Sequence, residues 1–430
     1  MKVFVLTAIV AATVYTAFSG SPQARPYPLV TAGAVDATTL DKKVMFGYQG
    51  WFGTPNDGSG NGAWKHWFRN NQPDSAHATF DCWPDMREYP ADVQEATTMH
   101  YANGQPAKLY SAYKYPVVDL HFKWMQQHNL DGVFAQRFVG EISGARGRRH
   151  FNQVVRNIQQ ASEKYGRVYC IMYDISGAGP RWKEMIMKDW QYLVDSLHVT
   201  TGKSYLHHKG RPLLAIWGLG FDHTAFATAA ATDTLLQWFH ATAPAKYRAT
   251  IMGGVNNTWM GQPEPWKSVF KRLDVISPWA VGRYRDEQGA NKFCDTAVVP
   301  DKAYCDRQKI DYMPVIFPGF SWYNLRNGRS PFNQIPRNGG RFFWHQSYNV
   351  LKAGVRMVYI AMYDEVDEGT AMFKIAPAAA QKPVDGRFVS LNQDGEQLPA
   401  DWYLQLAGAT AEILRGKAVN SPAIPSSLKK

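Results

Sequence analysis

The sequence predicts an α/β protein, a single (β/α)8 TIM-type barrel with long βα loops. Three observations predict it: eight short apolar runs spread along 430 residues, helical patterns between many of them, and polar or aromatic side chains after each run. No Gly-x-Gly-x-x-Gly follows the first run and no Walker loop occurs, which disfavours the open nucleotide-binding sheets.

The predicted strands are short and apolar, as strands covered on both faces are. They are residues 43–48, 131–136, 167–173, 212–217, 249–253, 275–279, 312–317 and 357–363. Apolar residues recur at helical spacing in the intervening segments. The predicted helices are residues 117–128, 151–164, 188–197, 233–241 and 342–353.

Residues 1–20 have the pattern of a secretory signal, with Lys2 before an apolar stretch and small residues after it. A membrane anchor is the alternative, but the stretch is short for a span and no other stretch is apolar enough. We therefore expect a secreted or periplasmic protein with no stable membrane insertion. We expect residues 21–40 to be a linker, 41–416 the barrel domain and 417–430 a flexible tail.

The four cysteines of an exported chain permit disulfides. Cys294 and Cys305 close a short loop, and we expect them to pair. Cys82 and Cys170 either pair or, since Cys170 lies in an apolar run, stay as buried thiols. Neither the cysteines nor the histidines have metal-ligand spacing, so we expect no metal and no cofactor.

The net charge of +11 is spread along the chain, and its longest basic cluster is the short run from Arg146 to His150. This pattern disfavours nucleic-acid binding. Anionic glycans or a negative cell surface are partners that fit a basic exported protein better. Nothing in the sequence indicates an oligomer, and we expect a monomer.

The last predicted strand ends in four acids within five residues, Asp364, Glu365, Asp367 and Glu368. In a barrel, chemistry collects at the C-terminal ends of the strands. Glu365 and Glu368 could therefore divide acid and base work, because neighbouring carboxylates separate each other's pKa values. A solvated acidic turn is the structural alternative.

Aromatic and hydrogen-bonding side chains follow nearly every other strand. Flat rings suit the apolar faces of sugars, and two carboxylates suit glycoside cleavage. The substrate-binding candidates are Tyr48, Trp51, Trp67, Arg137, Tyr173, Trp279, Tyr284, Tyr323 and Tyr363. We therefore expect a carbohydrate substrate, either a polysaccharide or an oligosaccharide.

The run Glu365-Val-Asp-Glu368-Gly-Thr370 resembles the Glu-x-x-Glu-Gly-Thr motif of the glycoside hydrolase family 99 endo-α-mannosidases and endo-α-mannanases. The stretches Asn129–Val133, Phe317–Phe320 and Gly47–Phe52 are similar to other motifs of that family. Family 71, which contains α-1,3-glucanases, shares the general plan. The resemblance spans the barrel but is thin between the motifs.

The resemblance implies roles for the two glutamates. Glu368 would protonate the departing glycosidic oxygen, and Glu365 would take the proton of the sugar 2-hydroxyl, giving a 1,2-anhydro sugar and net retention. The family usually has Trp-Asn and Trp-His where this chain has Tyr363-Asp364 and Val366-Asp367. The added acids would raise carboxylate pKa values unless Arg137 or Arg283 compensates. They put the mannose specificity in doubt more than the hydrolase class.

Two other interpretations stay open from the sequence. One is a catalytically inactive barrel that binds carbohydrate, and the other is a family 71-like α-1,3-glucanase.

Overall fold

The structure, a computed structural model, describes residues 33–428. The predicted signal peptide and most of the predicted linker lie outside these residues. The described strands are β1 Lys43–Tyr48, β2 Gln94–His100, β3 Pro106–Tyr110, β4 Gly132–Phe138, β5 Val168–Asp174, β6 His207–His208, β7 Arg211–Leu219, β8 Thr250–Val255, β9 Val275–Pro278, β10 Asp311–Tyr312, β11 Val315–Ile316 and β12 Met357–Ile360.

The main sheet is parallel and follows the order β10-β9-β8-β7-β5-β4-β1-β12-β11. The two edge strands of this sheet, β10 and β11, are consecutive in the chain and belong to one predicted strand. Tyr312 pairs with Ile276 of β9, whereas Val315 pairs with Tyr359 of β12. The eight predicted strands are therefore present, and the seventh, divided at Pro314, joins the sixth to the eighth. The predicted (β/α)8 fold class is confirmed.

Helices cover the outside of this barrel and include each of the predicted helices. They are α1 Tyr115–Gln127, α2 Val139–Ile142, α3 Ala145–Tyr165, α4 Trp182–Asp195, α5 Ala229–Gln237, α6 Trp266–Phe270, α7 Glu287–Phe293, α8 Val299–Gln308, α9 Arg341–Lys352 and α10 Trp402–Leu414. Local sequence fixes several ends. The Thr228 hydroxyl accepts from Ala231 N at the start of α5, and Gly166, with φ of 60°, ends α3. Within residues 33–428 no helix is both long and apolar enough to cross a bilayer.

The connection from β1 to α1, residues 49–114, is the first loop. It contains the antiparallel pair β2 and β3, which the sequence analysis does not predict. The first loop reaches the chain that follows β12, because Asp81 N and Cys82 N both donate to Val366 O, at 3.0 and 3.1 Å. It therefore builds one wall over the C-terminal face of the barrel.

The predicted flexible tail makes ordered contacts in its described part. Trp344 Nε1 donates to Ser421 O at 3.0 Å, and Asn420 Nδ2 donates to Tyr348 O at 3.0 Å. Residues 420 and 421 therefore lie against α9.

The expected disulfide between Cys294 and Cys305 is wrong. All four cysteines are free thiols, and all are buried. Cys294 begins the helical segment Cys294–Val298 that continues into α8, where Cys305 lies. Eleven residues of helix separate two side chains by roughly 15 Å, far more than a disulfide spans. The sequence spacing suggested a short loop, but the chain between the two residues is helical.

Candidate functional site

The four acids lie on a closed loop, residues 363–371, which we call the acid loop. Its ends are tied by main-chain hydrogen bonds: Met362 N donates to Thr370 O at 3.1 Å, and Met372 N donates to Met362 O at 2.9 Å. Arg337, which is buried, donates to Gly369 O and Ala371 O at 2.9 and 2.7 Å. The acid loop is thus fixed at the C-terminal end of β12, as the strand-end prediction requires.

Glu365 is buried and held by two neutral donors. Gln49 Nε2 lies 2.6 Å from its Oε1, and Thr370 Oγ1 lies 3.0 Å from its Oε2. Burial raises the pKa of Glu365 well above its usual range, and the charges of Glu368 and Asp367 raise it further. The hydrogen bonds from Thr370 and Gln49 act in the opposite direction, since they favour the carboxylate.

Glu368 is the acid of the loop with part of its side chain exposed. Burial raises its pKa to about 7, and the charge of Asp174 at the end of β5 adds to the shift. An interaction with the Trp322 side chain lowers it. A carboxyl group with a pKa near 7 can both give and take a proton at neutral pH.

The position of Glu368 depends on the glycine that follows it. Gly369 has a φ of +67°, and a Cβ there would lie 2.8 Å from Ser321 N. Ser321 N donates to Glu368 O at 2.9 Å. Gly369 of the Glu-Gly-Thr sequence therefore allows a tight turn with a left-handed backbone conformation, packed against the segment after β11.

Asp364 and Asp367 have different surroundings. Asp364 accepts from Gln49 N and Gly50 N at 2.7 and 2.9 Å, and burial raises its pKa to about 6. Asp367 is buried, and its Oδ1 has no hydrogen-bond partner among the described residues. Burial raises the pKa of Asp367 well above its usual range, and the Glu368 charge adds to the shift.

No cation compensates these acids with an ion pair within residues 33–428. Arg137, one of the two arginines expected to do so, is buried and bound to Asp189, with Nη2 2.5 Å and Nε 2.7 Å from the carboxylate oxygens. Arg283, the other, is exposed. Because no cation among the described residues lies against them, burial leaves the pKa values of all four acids raised.

Three of the predicted substrate-binding aromatic residues are partly exposed. Trp51 is half-buried and stacks on His66 at 4.1 Å between ring centroids. Trp279 is half-buried beside Trp217 at 5.4 Å. Tyr323 is half-buried in the segment that also carries Trp322.

The other predicted binding residues are buried, and their polar atoms bond within the protein. Tyr48 OH lies 2.9 Å from His121 Nδ1, and Tyr363 OH donates to His121 O at 2.9 Å. The remaining ones behave alike: Trp67 donates to Tyr110 O, Tyr173 and Arg137 to Asp189, and Tyr284 to Gln346. In this structure these side chains support the walls of the site from behind.

Three residues of the site were not among the candidates. Gln49 holds Glu365, Asp174 acts on Glu368, and Trp322 lies beside Glu368. Gln49 directly follows β1, Asp174 is the last residue of β5, and Trp322 lies in the loop after β11, so their positions at strand ends were the available signal. Asp174 also accepts from Ser176 N at 2.8 Å, and burial raises its pKa to about 6.

The segment carrying Trp322 is fixed by the first loop. Asp81 accepts from Tyr323 N and Asn324 N at 2.7 and 2.8 Å, and from the Ser321 hydroxyl. Asp81 is fully buried. The Asp81 carboxylate therefore fixes the conformation of residues 321–324, which border Glu368. Among residues 33–428, no cluster of His, Cys, Asp and Glu side chains has the geometry of a metal site.

Comparison with known proteins gives fold relatives only. No family model matches the sequence, and no curated protein matches it. The GH99 endo-alpha-mannosidase from Bacteroides thetaiotaomicron is similar in structure, with a TM-score of 0.63 and 15% identity over 88% of this chain and 99% of that chain. A structure of that enzyme with BIS-TRIS-Propane gives 0.63 and 16%, over 88% of this chain and 98% of that chain.

A further solved structure, named as a glycoside hydrolase-like protein, has a TM-score of 0.51 and 12% identity over 80% of this chain and 98% of its own. The structural neighbours are thus glycoside hydrolases, and the expected resemblance to family 99 is confirmed in the fold. Identities this low carry the fold and not the activity.

Proposed function

We propose that the chain is a secreted glycoside hydrolase that cleaves a polysaccharide or glycan with Glu365 and Glu368. The observation that carries the proposal is the arrangement of these two acids. One is buried and held by neutral donors, and the other is partly exposed with a pKa of about 7. They project from one closed loop at the end of a barrel that glycoside hydrolases share.

The proposed first step has balanced proton transfers. Glu365, as the carboxylate favoured by Gln49 and Thr370, takes the proton of the sugar 2-hydroxyl. The hydroxyl oxygen attacks the anomeric carbon while Glu368 gives its proton to the departing glycosidic oxygen. The product is a 1,2-anhydro sugar, which follows the family 99 route. A base is needed because an alcohol is a poor nucleophile at neutral pH.

The second step reverses the proton transfers. Glu368, now ionised, takes a proton from water, and the resulting hydroxide opens the anhydro ring at the anomeric carbon. Glu365 returns its proton to the sugar oxygen, so both carboxyl groups regain their starting states. Two inversions at one carbon give net retention. Trp51, Trp279 and Tyr323 would stack on sugar faces along the cleft.

The test is release of oligosaccharides from a panel of α-mannans, α-glucans and acidic glycans, read by mass. We expect release from one class, with no requirement for an added metal. Glu368→Gln should lower turnover by about 10³-fold while leaving binding nearly intact. Glu184→Gln, a change of an exposed glutamate, is the matched control and should keep wild-type turnover.

The same panel separates the alternatives. Products from 1,3-glucan would favour the family 71-like enzyme over a mannan-degrading one. Binding without release from any class would favour the inactive carbohydrate-binding barrel, which the raised pKa of Glu365 supports, because a protonated carboxyl group is no base. A Glu368→Gln variant with wild-type turnover would contradict the assigned pair.

A further inference from the structure

A groove with basic walls lies between α3 and α4, on the outside of the barrel. Two adjoining cavities of about 480 and 310 Å³ form it, and they share Arg148, Asn152 and Tyr192. We call it the basic groove. Its five basic side chains are Arg148, Arg149, Arg156, Arg181 and Lys188.

The helical repeat places these charges on facing walls. Arg148, Asn152 and Arg156 are four residues apart on α3 and share one face. Lys188 and Tyr192 are likewise four apart on α4, and Arg181 directly precedes that helix. The basic cluster at Arg146–His150, to which the proposed catalysis assigns no role, thus supplies one wall of the groove.

The charges of the groove have no internal compensation. None of its five basic side chains forms an ion pair with a described residue, and all five are exposed. The acid that lines it, Asp189, is occupied: Arg137 binds both of its oxygens, and Tyr173 OH donates to Oδ2 at 2.7 Å. The four cations on α3 and α4 and Arg181 just before α4 repel one another, and a bound anion would relieve that repulsion.

The groove begins at the face of the barrel that holds the acid loop. Arg149 Nη1 donates to Ser59 O in the first loop at 3.2 Å, and Arg148 Nη1 donates to Ile142 O just after β4 at 3.5 Å. Arg181 ends the connection that leaves β5. Since barrel helices start where the strands end, a chain leaving the cleft over β4 and β5 can enter the groove directly.

Aromatic surface accompanies the charges. Tyr192 is 37% exposed, and Tyr113 is half-buried in the adjoining cavity. Rings beside cations are suited to a ligand that has both apolar ring faces and negative groups. Neutral glycans would use the rings and leave the five charges unpaired.

We infer that the basic groove binds an anionic saccharide, carrying sulfate or uronic carboxylate groups, as a continuation of the substrate cleft. The inference rests on the proposed function for the substrate class, and it deepens that function by assigning the substrate negative charge outside the catalytic subsite. The groove accounts for part of the net charge of +11. The catalytic acids face the sugar being cleaved, and the cations face sugars further along the chain.

The experiment measures binding of labelled oligomers to the Glu368→Gln protein, so that cleavage does not interfere. The probes are a heparin-derived hexasaccharide for sulfate, hexagalacturonate for carboxylate, mannohexaose as the neutral sugar, and a 12-nucleotide oligothymidylate. The groove variant combines Arg148→Gln with Lys188→Gln. The control variant combines Lys123→Gln with Lys292→Gln, which removes the same charge from exposed positions elsewhere.

We expect at least one anionic hexasaccharide to bind more tightly than mannohexaose, and the preferred anion identifies the charged group. The groove variant should weaken that binding about tenfold, since two surface charge contacts are lost, and the control variant less than twofold. Equal losses in both variants, or no preference for the anionic sugars, would overturn the inference. Oligothymidylate binding tighter than both anionic sugars would overturn it too and make the groove a nucleic-acid surface.

The groove and the catalytic proposal can fail separately. Groove-dependent binding with no cleavage of any glycan would keep the groove and contradict the catalytic assignment. Cleavage of a neutral glycan, with the groove variant as active as wild type and no anionic binding, would keep the catalytic assignment and reject the groove.

Discussion

The side-chain amide of Gln49 lies 2.6 Å from Oε1 of Glu365, which joins the end of β1 to the acid loop after β12. Because this donor favours the carboxylate, it lowers the pKa of Glu365 against the effect of burial. This one hydrogen bond therefore links the residue after the first barrel strand to the proposed base in the loop after the last strand.

Replacing Gln49 with Leu should move the acidic limb of the pH–activity profile to higher pH. The pKa of Glu365 rises when the donor is lost, so a smaller fraction is ionised at a given pH. We expect a loss of about tenfold or more in kcat/KM at pH 6 and a smaller loss at pH 8. Gln105→Leu, an exposed control, should leave the profile unchanged. An equal loss at both pH values would mean that Gln49 only supports packing.

Asp367→Asn should stabilise the protein more at pH 8 than at pH 5. A carboxyl group whose pKa is raised by folding binds its proton more tightly when folded, so its contribution to stability is lost as pH rises through the folded pKa. Asparagine does not titrate, and the difference in Tm between variant and wild type should grow by about 2 °C or more over that range. Asp92→Asn, an exposed control, should give the same difference at both pH values. A constant difference for Asp367→Asn would contradict the raised pKa.

Asp81→Ala should affect both stability and substrate binding. Its carboxylate accepts three hydrogen bonds from residues 321–324, and losing them leaves buried donors unpaired. We expect a loss of about 2–4 kcal/mol in the free energy of unfolding, measured with urea, together with a raised KM as Trp322 shifts. Asp85, also buried in the first loop, binds the exposed Arg87 instead. Asp85→Ala should therefore lower stability without changing KM, and a raised KM in both variants would remove the special role of Asp81.

The thiols should be unreactive in the folded protein. Burial raises the pKa of Cys82 and of Cys294 to about 11 and that of Cys305 to about 12, and Cys170 is likewise shifted upward. A thiol reagent at pH 8 should label no cysteine in the native state and four after denaturation without reductant. Labelling of two or fewer after denaturation would indicate a disulfide that the structure does not contain.

The barrel could be predicted from the sequence because its strands are short apolar runs that end in polar residues. The predicted bounds of β1 match the observed Lys43–Tyr48, and most others differ by one to three residues. The seventh strand, predicted as one run, divides because Pro314 has no N–H to donate. Only the strand pairing in the structure shows that its first half, β10, pairs with β9 and its second half, β11, pairs with β12.

The sequence indicates the acid pair, but it does not indicate which aromatic side chains face the cleft and which face the core. Successive residues of a strand point to opposite sides, so a position near a strand end does not decide between cleft and core. Tyr48 and Tyr363 are directed to His121 in the core, whereas Trp51, a few residues after β1, keeps exposed surface. The hairpin is not predicted because β2, Gln94–His100, is mostly polar and β3, Pro106–Tyr110, is only five residues long.

The division of the seventh strand makes the circumference of the barrel uneven. Two residue pairs join β10 to β9 and two join β11 to β12, whereas seven join β4 to β5. Strand pairing therefore holds the side of the barrel that carries Asp174, whereas the segment that carries Trp322 is held mainly by its hydrogen bonds to Asp81 in the first loop.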